Sequence, residues 1–550
     1  MRNKKIFNCL PGREGFLPFL IILLIFQPAS PQRNITPVFT VVPGSTQKIC
    51  QLTGEFDYHQ AAVDGVTPQE RPTQNRTYSN YRIHGTDLGA SFEHDGKLWF
   101  LFGDTFATET IPGDPDDGQS HSNPNPIAAD ATAFTADTNP TDGISLEFLK
   151  AANNPNVWLC PSFDPGGNVV QHEGFSSGPS FYVWYSTDEG TRTSTLARSD
   201  DGGRNFTKIY DMSSNRFLWV SVESVPSLMI PGLEDIGTID WLFIFGTGPG
   251  YRESDMFLAV VPLALIEDEQ AIVYFTGLDE NNLPQWSKSE EDAQPVIDID
   301  NPLATGDWWG GIVIEDKVDA EGCIGEFSVH YCEVLETWIA MYNRDFLSIE
   351  MHTASSPWGP WSQAVTVFDP VKDGGYCGFL HLTNEFKAVL NLNCDYNVTI
   401  PGRSAPGSPY GPYIMERYTT GTLDQATLYF VMSMWHPYNV LVMKTTIQRS
   451  GGTNINNTKT TETNHFYLSQ NYPNPFNSFT TIRFNIPALS QVSLKILNVL
   501  GQEIETVVDK KQMVGFQEVL WDSGNYPGGV YVYQIETGLF TQNKKLLVLK

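Results

Sequence analysis

Five stretches of this chain share one design. LWFLFGDT (98–105), FYVWYSTD (181–188), WLFIFGTG (241–248), TWIAMYNR (337–344) and LYFVMSMW (428–435) are aromatic, strand-like runs that end in small or polar residues. They recur roughly 60–95 residues apart, wider than most short repeats but suited to one decorated four-stranded sheet each. Several are followed by a second strand-like segment: SDMFLAVVPL (254–263), IEMHTASS (349–356) and NVLVMKTTI (439–447). Five copies predict an all-β fold, a five-bladed β-propeller over residues 80–447; a sandwich or barrel with coincidental spacing is the competing architecture. SDDGGRNF (199–206) fits the Ser-x-Asp-x-Gly-x-x-aromatic pattern of an Asp-box turn. Its Asp and Ser organise a hairpin turn and its aromatic packs between strands, which is a structural role.

The first run belongs to GTDLGASFEHDGKLWFLFGDT (85–105). Asp95-Gly96 is the dipeptide that favours a two-residue hairpin turn, because both central residues need positive φ. A turn there pairs positions summing to 191, so Phe92 faces Trp99, Ala90 faces Leu101 and Asp87 faces Asp104. Opposed like charges are destabilising. Two carboxylates in a stretch otherwise built for burial therefore call for a reason beyond turn capping. A coupled pair has its titrations pushed apart, which supplies an acid and a base at one pH.

The ends of the chain read differently. Arg2, Lys4 and Lys5 precede an apolar core, FLPFLIILLIF (16–26), and small residues Ala29 and Ser30 follow, so residues 1–30 are expected to be a cleaved signal peptide. Residues 31–79 form an N-terminal lead-in. QRSGGTNINNTKTTETNH (448–465) is polar and aperiodic, a linker. Beyond it, TTIRFNIP (480–487), QVSLKILNV (491–499), QEIETVV (502–508), GFQEVLWD (515–522), GVYVYQIET (529–537) and KKLLVLK (544–550) alternate as strands of a small immunoglobulin-like β-sandwich over 466–550. With 34 Lys plus Arg against 63 Asp plus Glu, the net charge is −29, a poor match for nucleic acid or anionic membranes. Six cysteines remain after the signal peptide (Cys50, Cys160, Cys323, Cys332, Cys377 and Cys394), and their spacing fixes no pairing. No CxxC or HExxH motif supports a zinc site, and no metal or other cofactor is expected. DPDDG (114–118) lacks the bidentate Glu of a calcium loop and reads as a solvated acidic turn.

Two resemblances add to this. YLSQNYPNPFNSFTTIRFNIP (467–487), ILNVLGQEI (496–504), YPGGVYVYQIETG (526–538) and the terminal KKLLVLK resemble the type A sorting domain of the type IX secretion system. That resemblance implies passage through the periplasm and across an outer membrane by the secretion machinery, with the protein released or held at the cell surface. GTDLGASFEHDGKLWFLFGDTF (85–106), SN (122–123), FGTGPGYRESDMFLAVVP (245–262), GEFSVHY (325–331), ASSPWGPWS (354–362), YGPYI (410–414) and SMWHPYNVLVMK (433–444) resemble the family catalogued as domain of unknown function 4185. The resemblance implies a five-bladed propeller. It also implies an endo-acting D-arabinofuranosidase, with the acids of the GTDLG and FGDT motifs, here Asp87 and Asp104, as the catalytic pair.

Glycosidic cleavage uses two carboxyl groups flanking the scissile bond. A facing pair splays to roughly 5–9 Å, which admits both retaining and inverting geometries; the resemblance favours inversion. Glu326, before another aromatic strand, and Arg252, able to orient a hydroxyl or tune an acid, are candidate substrate-binding residues. Trp435, His436 and Tyr438 follow the last aromatic run, where a stacking platform for a sugar would serve. His84, three residues before Asp87, is a weaker candidate. The expected function is a secreted glycoside hydrolase acting on an extracellular furanoside polysaccharide such as D-arabinan. The alternative is a glycan-binding surface propeller without catalysis. A sialidase-like propeller is the weakest alternative, since no arginine triad is evident.

Overall fold

A computed structural model describes residues 38–549, except 107–128, 153, 160, 165–168, 188–191, 234–238, 249–253, 299–323, 345–347, 395–397, 400–405, 436–437, 451–466, 469–470, 472–475, 477, 487–489, 513–514, 525 and 538–539. The signal peptide, most of the linker and DPDDG lie outside the described residues.

The chain is nearly all β, and its larger part is five antiparallel meanders. Their first strands are Gly85–His94, Val169–Ser177, Trp219–Leu228, Phe327–Cys332 and Pro409–Ile414. Each first strand packs against the next, and the fifth packs back on the first, so the five close a ring. The aromatic runs of the sequence are the second strand of every sheet: Lys97–Phe106, Ser180–Thr187, Ile239–Thr247, Thr337–Arg344 and Gln425–Met434.

Those runs are apolar throughout because both faces are covered. Along 98–102, Leu98, Phe100 and Phe102 pack with Tyr413, Val431 and Val442 of the fifth sheet. Trp99 and Leu101 point the other way, onto Phe181, Val183 and Tyr185 of the second sheet. Tyr182 and Trp184 then meet Leu242 and Ile244, Phe243 and Phe245 meet Trp338 and Ala340, and Ile339 and Met341 meet Phe430 and Met432. Period-two alternation thus feeds five separate cores, one between each pair of neighbouring sheets. Each large side chain so buried contributes about 1.5–3 kcal/mol.

The fifth sheet departs from the expected boundaries. Its outer strands come from the N-terminal lead-in: Phe39–Val41 pairs with 447–449, and Gln47–Gln51 pairs with 441–444. Phe39 is buried in the core between the fourth and fifth sheets. The lead-in is therefore part of the ring, because a strand edge left by Asn439–Arg449 needs a partner.

The Asp-box forms its turn as expected. Asp201 Oδ1 accepts from the backbone N–H of Arg204 and Asn205 at 3.1 and 3.0 Å, and Ser199 Oγ accepts from Gly203 N at 2.9 Å. Phe206 packs on Phe181 and Tyr185. Cys377 and Cys394 form a disulfide, with Cα atoms 5.1 Å apart, while Cys50 and Cys332 are free thiols.

The C-terminal strands occur where the alternation placed them. Phe479–Ile486 pairs with Gly515–Asp522 and the short Tyr467–Leu468 in one sheet. Glu503–Gln512, Ser490–Leu497, Gly529–Thr537 and Phe540–Val548 form the other, in that order. Ile482, Phe484, Val492, Leu494, Trp521, Tyr533 and Ile535 from the two sheets share one core.

Candidate active site

The Asp95-Gly96 turn forms, with both residues at positive φ, and the hairpin follows the expected register from His94↔Lys97 to Ala90↔Leu101. It then departs. Gly89 is an extra residue, so Leu88 pairs with Phe102 and Asp87 with Gly103; a second irregularity restores the register at Gly85↔Phe106. Asp87 therefore does not face Asp104. The physical reason is visible in the backbone: Leu88, Gly89 and Asp104 have φ of 61°, 98° and 22°. Such bulges re-aim side chains, and a non-glycine residue held there is strained by about 1–3 kcal/mol. Opposite Asp87 the chain carries no side chain at all. A Cβ on Gly103 would lie 2.9 Å from Asp87 Oδ1 and 2.7 Å from Leu88 Cδ1.

Asp87 is buried at 5% exposure, whereas Asp104 is half-buried. Tyr410, on the first strand of the fifth sheet, donates its hydroxyl to Asp87 Oδ2 at 2.6 Å. Burial first, then the neighbouring charge of Asp87 and the proximity of Tyr438, push the Tyr410 phenol well above its ordinary range. It stays protonated and is a standing donor. Around this pair, Thr86 and Thr105 join their hydroxyls at 2.6 Å, and both reach the carbonyl of Gly103 at 3.0 Å. Ser433 Oγ accepts from Leu88 N at 2.7 Å. The Ser433 and Tyr410 contacts tie the bulged strand to the fifth sheet.

A third carboxyl completes the group. Asp130, on the Ala129–Thr135 strand of the same sheet, is 2% exposed, and its Oδ2 accepts from Gln171 N at 3.0 Å. Burial, then the charges of Asp104 and Asp87, hold its carboxyl well above the usual range, against the opposing Gln171 bond. The neutral form of Asp130 is thereby favoured relative to an ordinary carboxyl. The sequence signal was slight: one acid between small residues in AADATAF.

The other candidates divide. Tyr438 is buried at the site, with φ 60°; its carbonyl accepts from Thr86 N at 2.8 Å, and its ring lies 5.3 Å from Phe106. Glu326 is buried just before the Phe327–Cys332 strand. It connects toward Tyr410 through Asn343, whose N–H donates to the Glu326 carbonyl at 3.2 Å and whose Oδ1 accepts from Gly411 N at 3.1 Å. Trp435 is half-buried against the core between the fifth and first sheets rather than standing free. His84 packs on Tyr78 with ring centroids 3.9 Å apart and the rings tilted by 39°. Arg252, His436 and the SN pair at 122–123 lie outside the described residues.

Elsewhere on the ring sits a network that the sequence did not announce. His330 Nδ1 lies 2.8 Å from Glu223 Oε2, and its Nε2 lies 3.3 Å from Glu173 Oε1. Glu173 Oε2 also accepts from Val222 N at 3.1 Å. Burial opposes charge on His330, but its bonds to Glu173 and Glu223 outweigh it and raise the imidazole well above its ordinary value. Glu416 adds an oxygen within 4.8 Å of the Glu223 and His330 donor atoms, a set that could hold a cation as well as a proton. Beside it, His172 is buried and stacked on Trp219 at 4.2 Å, and burial pushes it down to about 3.

With this geometry in view, residues 72–444 match the family described as Domain of unknown function (DUF4185). The chain belongs to the DUF4185 family. Both Asp87 and Asp104, and Tyr410 as well, fall inside the DUF4185 region, as do all five first strands. Residues 470–549 match the secretion system C-terminal sorting domain, and this tail marks the protein for export to the cell surface or beyond. No helix among the described residues is long and apolar enough to cross a membrane. No curated protein matches the chain.

Among solved structures, a putative hydrolase from Bacteroides ovatus shares 10% identity at a TM-score of 0.38, covering 67% of this chain and 87% of its own. A GH43_1 enzyme from Xanthomonas citri shares 11% at a TM-score of 0.35, covering 68% and 91%. An exo-beta-1,3-galactanase from Phanerochaete chrysosporium shares 8% at a TM-score of 0.34, covering 92% and 100%. At these scores the likeness carries no functional argument.

Proposed function

We propose that this DUF4185 protein is an exported glycoside hydrolase, that its five sheets are the blades of a propeller, and that Asp87 and Asp104 carry the reaction. The observation that carries the reading is the phenol of Tyr410 on Asp87, 2.6 Å away, beside a buried Asp130 whose carboxyl is raised by burial and by the charges of Asp104 and Asp87. A standing donor favours the carboxylate form of Asp87, while Asp104 is the more open of the two. Adjacent carboxyls with different surroundings divide the roles of base and acid.

In this reading Asp87 is the general base. It takes a proton from a water whose oxygen forms the new bond to the anomeric carbon. Asp104 gives its proton to the glycosidic oxygen as the old C–O bond breaks, inverting the configuration. The likeness of the GTDLG and FGDT motifs to those of D-arabinan-cleaving relatives supports a furanoside polysaccharide as substrate. Trp435, half-buried, keeps some aromatic surface to offer a sugar.

The test is product release by the full exported chain from a panel of arabinans, arabinogalactans and related furanosides, with Asp104→Asn as the control. Oligosaccharides from one polymer, absent with the variant, establish the activity and its substrate class. Binding of a polymer without any cleavage replaces this reading with a glycan-binding role.

A further inference from the structure

Twelve large hydrophobic side chains are exposed among the described residues, and six of them belong to the C-terminal sandwich: Phe479, Val499, Leu500, Leu520, Val530 and Leu549. The other six are spread over the much longer ring portion. The two most exposed, Val499 at 71% and Leu500 at 79%, are neighbours on the turn between Ser490–Leu497 and Glu503–Gln512.

Register brings the six to one end of the sandwich, with Val530 on the outer face of one sheet and Phe479 and Leu520 on the outer face of the other. Leu497 pairs with both Glu503 and Val532, so the 498–502 turn projects beyond the end of the sheet at which Gly529–Thr537 begins. Gly529 pairs with Val548, which brings Val530 and Leu549 to that same end. A bridge from Phe476 to Val548, and the bond from Leu549 N to the Phe476 carbonyl at 2.7 Å, carry the start of Phe479–Ile486 there too. Phe479 pairs with Asp522 and Thr481 with Leu520, so Phe479 and Leu520 are diagonal neighbours on one face.

The turn is held, not loose. Asn498 Oδ1 accepts from Leu500 N at 2.9 Å and Gln502 N at 3.0 Å, and its Nδ2 donates to Gln502 Oε1 at 2.8 Å. Two aliphatic side chains are thus presented to solvent on a preorganised scaffold, the arrangement of an anchor that fills a partner's pocket.

We infer that this apolar end of the sandwich is the surface by which a protein component of the export machinery grips the chain, with Val499 and Leu500 inserted into an apolar pocket. The occupant follows from the domain, since residues 470–549 match a sorting domain of a secretion system. Charge at this end is mixed: Glu503 is paired with Lys495 at 3.2 Å and Lys545 stands opposite Val532, while Lys510 and Lys511 pair with Val492 and Gln491 at the opposite end.

The experiment expresses the full chain in a bacterium that possesses type IX secretion and compares it with Val499→Ser/Leu500→Ser, with Leu520→Ser, and with a Lys510→Ser/Lys511→Ser control. Immunoblots of medium, cell surface and periplasm read the exported fraction, and thermal melts of the purified proteins check folding. The expected result is about a tenfold fall in export for the turn variant, the effect of removing a buried anchor. A smaller fall is expected for Leu520→Ser and none for the lysine control, with melting unchanged throughout. Export of the turn variant at the wild-type level overturns the proposal. So does binding of the wild type to phosphatidylethanolamine–phosphatidylglycerol vesicles, or self-association by light scattering, if the turn substitutions abolish it without touching export.

Discussion

The hydroxyl of Tyr410 rests 2.6 Å from Oδ2 of Asp87, although 323 residues separate them in sequence. Tyr410 lies on the innermost strand of the last sheet and Asp87 on that of the first, so the bond exists only where the ring closes. Tyr410→Phe keeps the ring and removes the donor. Leaving a buried carboxylate short of one bond costs about 1–3 kcal/mol of stability. The donor favours the charged form, so its loss moves the acid limb of the kcat/KM profile to higher pH. An unchanged limb would remove Tyr410 from the mechanism.

Asp87, Asp104 and Asp130 separate under amide substitution. Burial and the charges of Asp104 and Asp87 raise the Asp130 carboxyl and so favour its neutral form, which Asn imitates; Asp130→Asn is expected to keep activity within about tenfold. Asp87→Asn and Asp104→Asn each remove a reacting group and are expected to abolish turnover, with thermal melting little changed. Activity assays beside melting curves for the three variants decide the assignment.

Gly103 is where the site meets packing. An alanine there pushes its Cβ to 2.9 Å from Asp87 Oδ1 and 2.7 Å from Leu88 Cδ1. Gly103→Ala is expected to lose about 1–3 kcal/mol, the range for overpacking a filled site, and most of the activity. Denaturant titration together with initial rates would show both losses; retention of both would mean that the bulge relaxes without effect.

Stability should fall on either side of mild acidity. His172 has a folded-state value depressed to about 3 by burial. Its contribution is full above the unfolded value near 6.5 and is lost as pH drops toward 3. His330 has a raised folded-state value, so its contribution is full below about 6.5 and is lost as pH climbs through that raised value. Melting temperatures from pH 4 to 9 should trace a dome, about as wide as the separation of these effects. His172→Phe, which preserves the stack on Trp219, should flatten its acid side.

The strands Phe39–Val41 and Gln47–Gln51 complete the fifth sheet. A chain lacking residues 31–51 is therefore expected to melt well below the full chain, because Phe39 and the edge of Asn439–Arg449 lose their cover. Equal melting temperatures would show that the ring holds without them.

Much of this architecture was legible because burial on two faces leaves a continuous apolar run, and such a run marks the second strand of each sheet. The Asp-box and the strands of the tail were equally plain, since local turn chemistry and alternation write them. Asp87 and Asp104 stood out for the opposite reason, as acids in apolar company. Their relative placement was not legible: Gly89 and the left-handed backbone at Leu88 and Asp104 break a register that a simple hairpin would keep. Asp130, Tyr410, Glu173, Glu223 and His330 were missed because each sits singly on its own strand. Their neighbours are brought by ring closure, over separations of tens to hundreds of residues that carry no local signal.

The fifth sheet also sets an order of events. Its inner three strands span residues 409–449 and its outer ones 39–51, so the first and last portions of the ring must meet before the first and fifth sheets have both faces covered. A chain emerging N-terminus first cannot finish this step until nearly all of it is available. Contacts of such long sequence separation are slow to form. Closure is therefore a late, whole-chain event, and the Tyr410–Asp87 bond is a timestamp: wherever it is found, synthesis of the ring portion is already over.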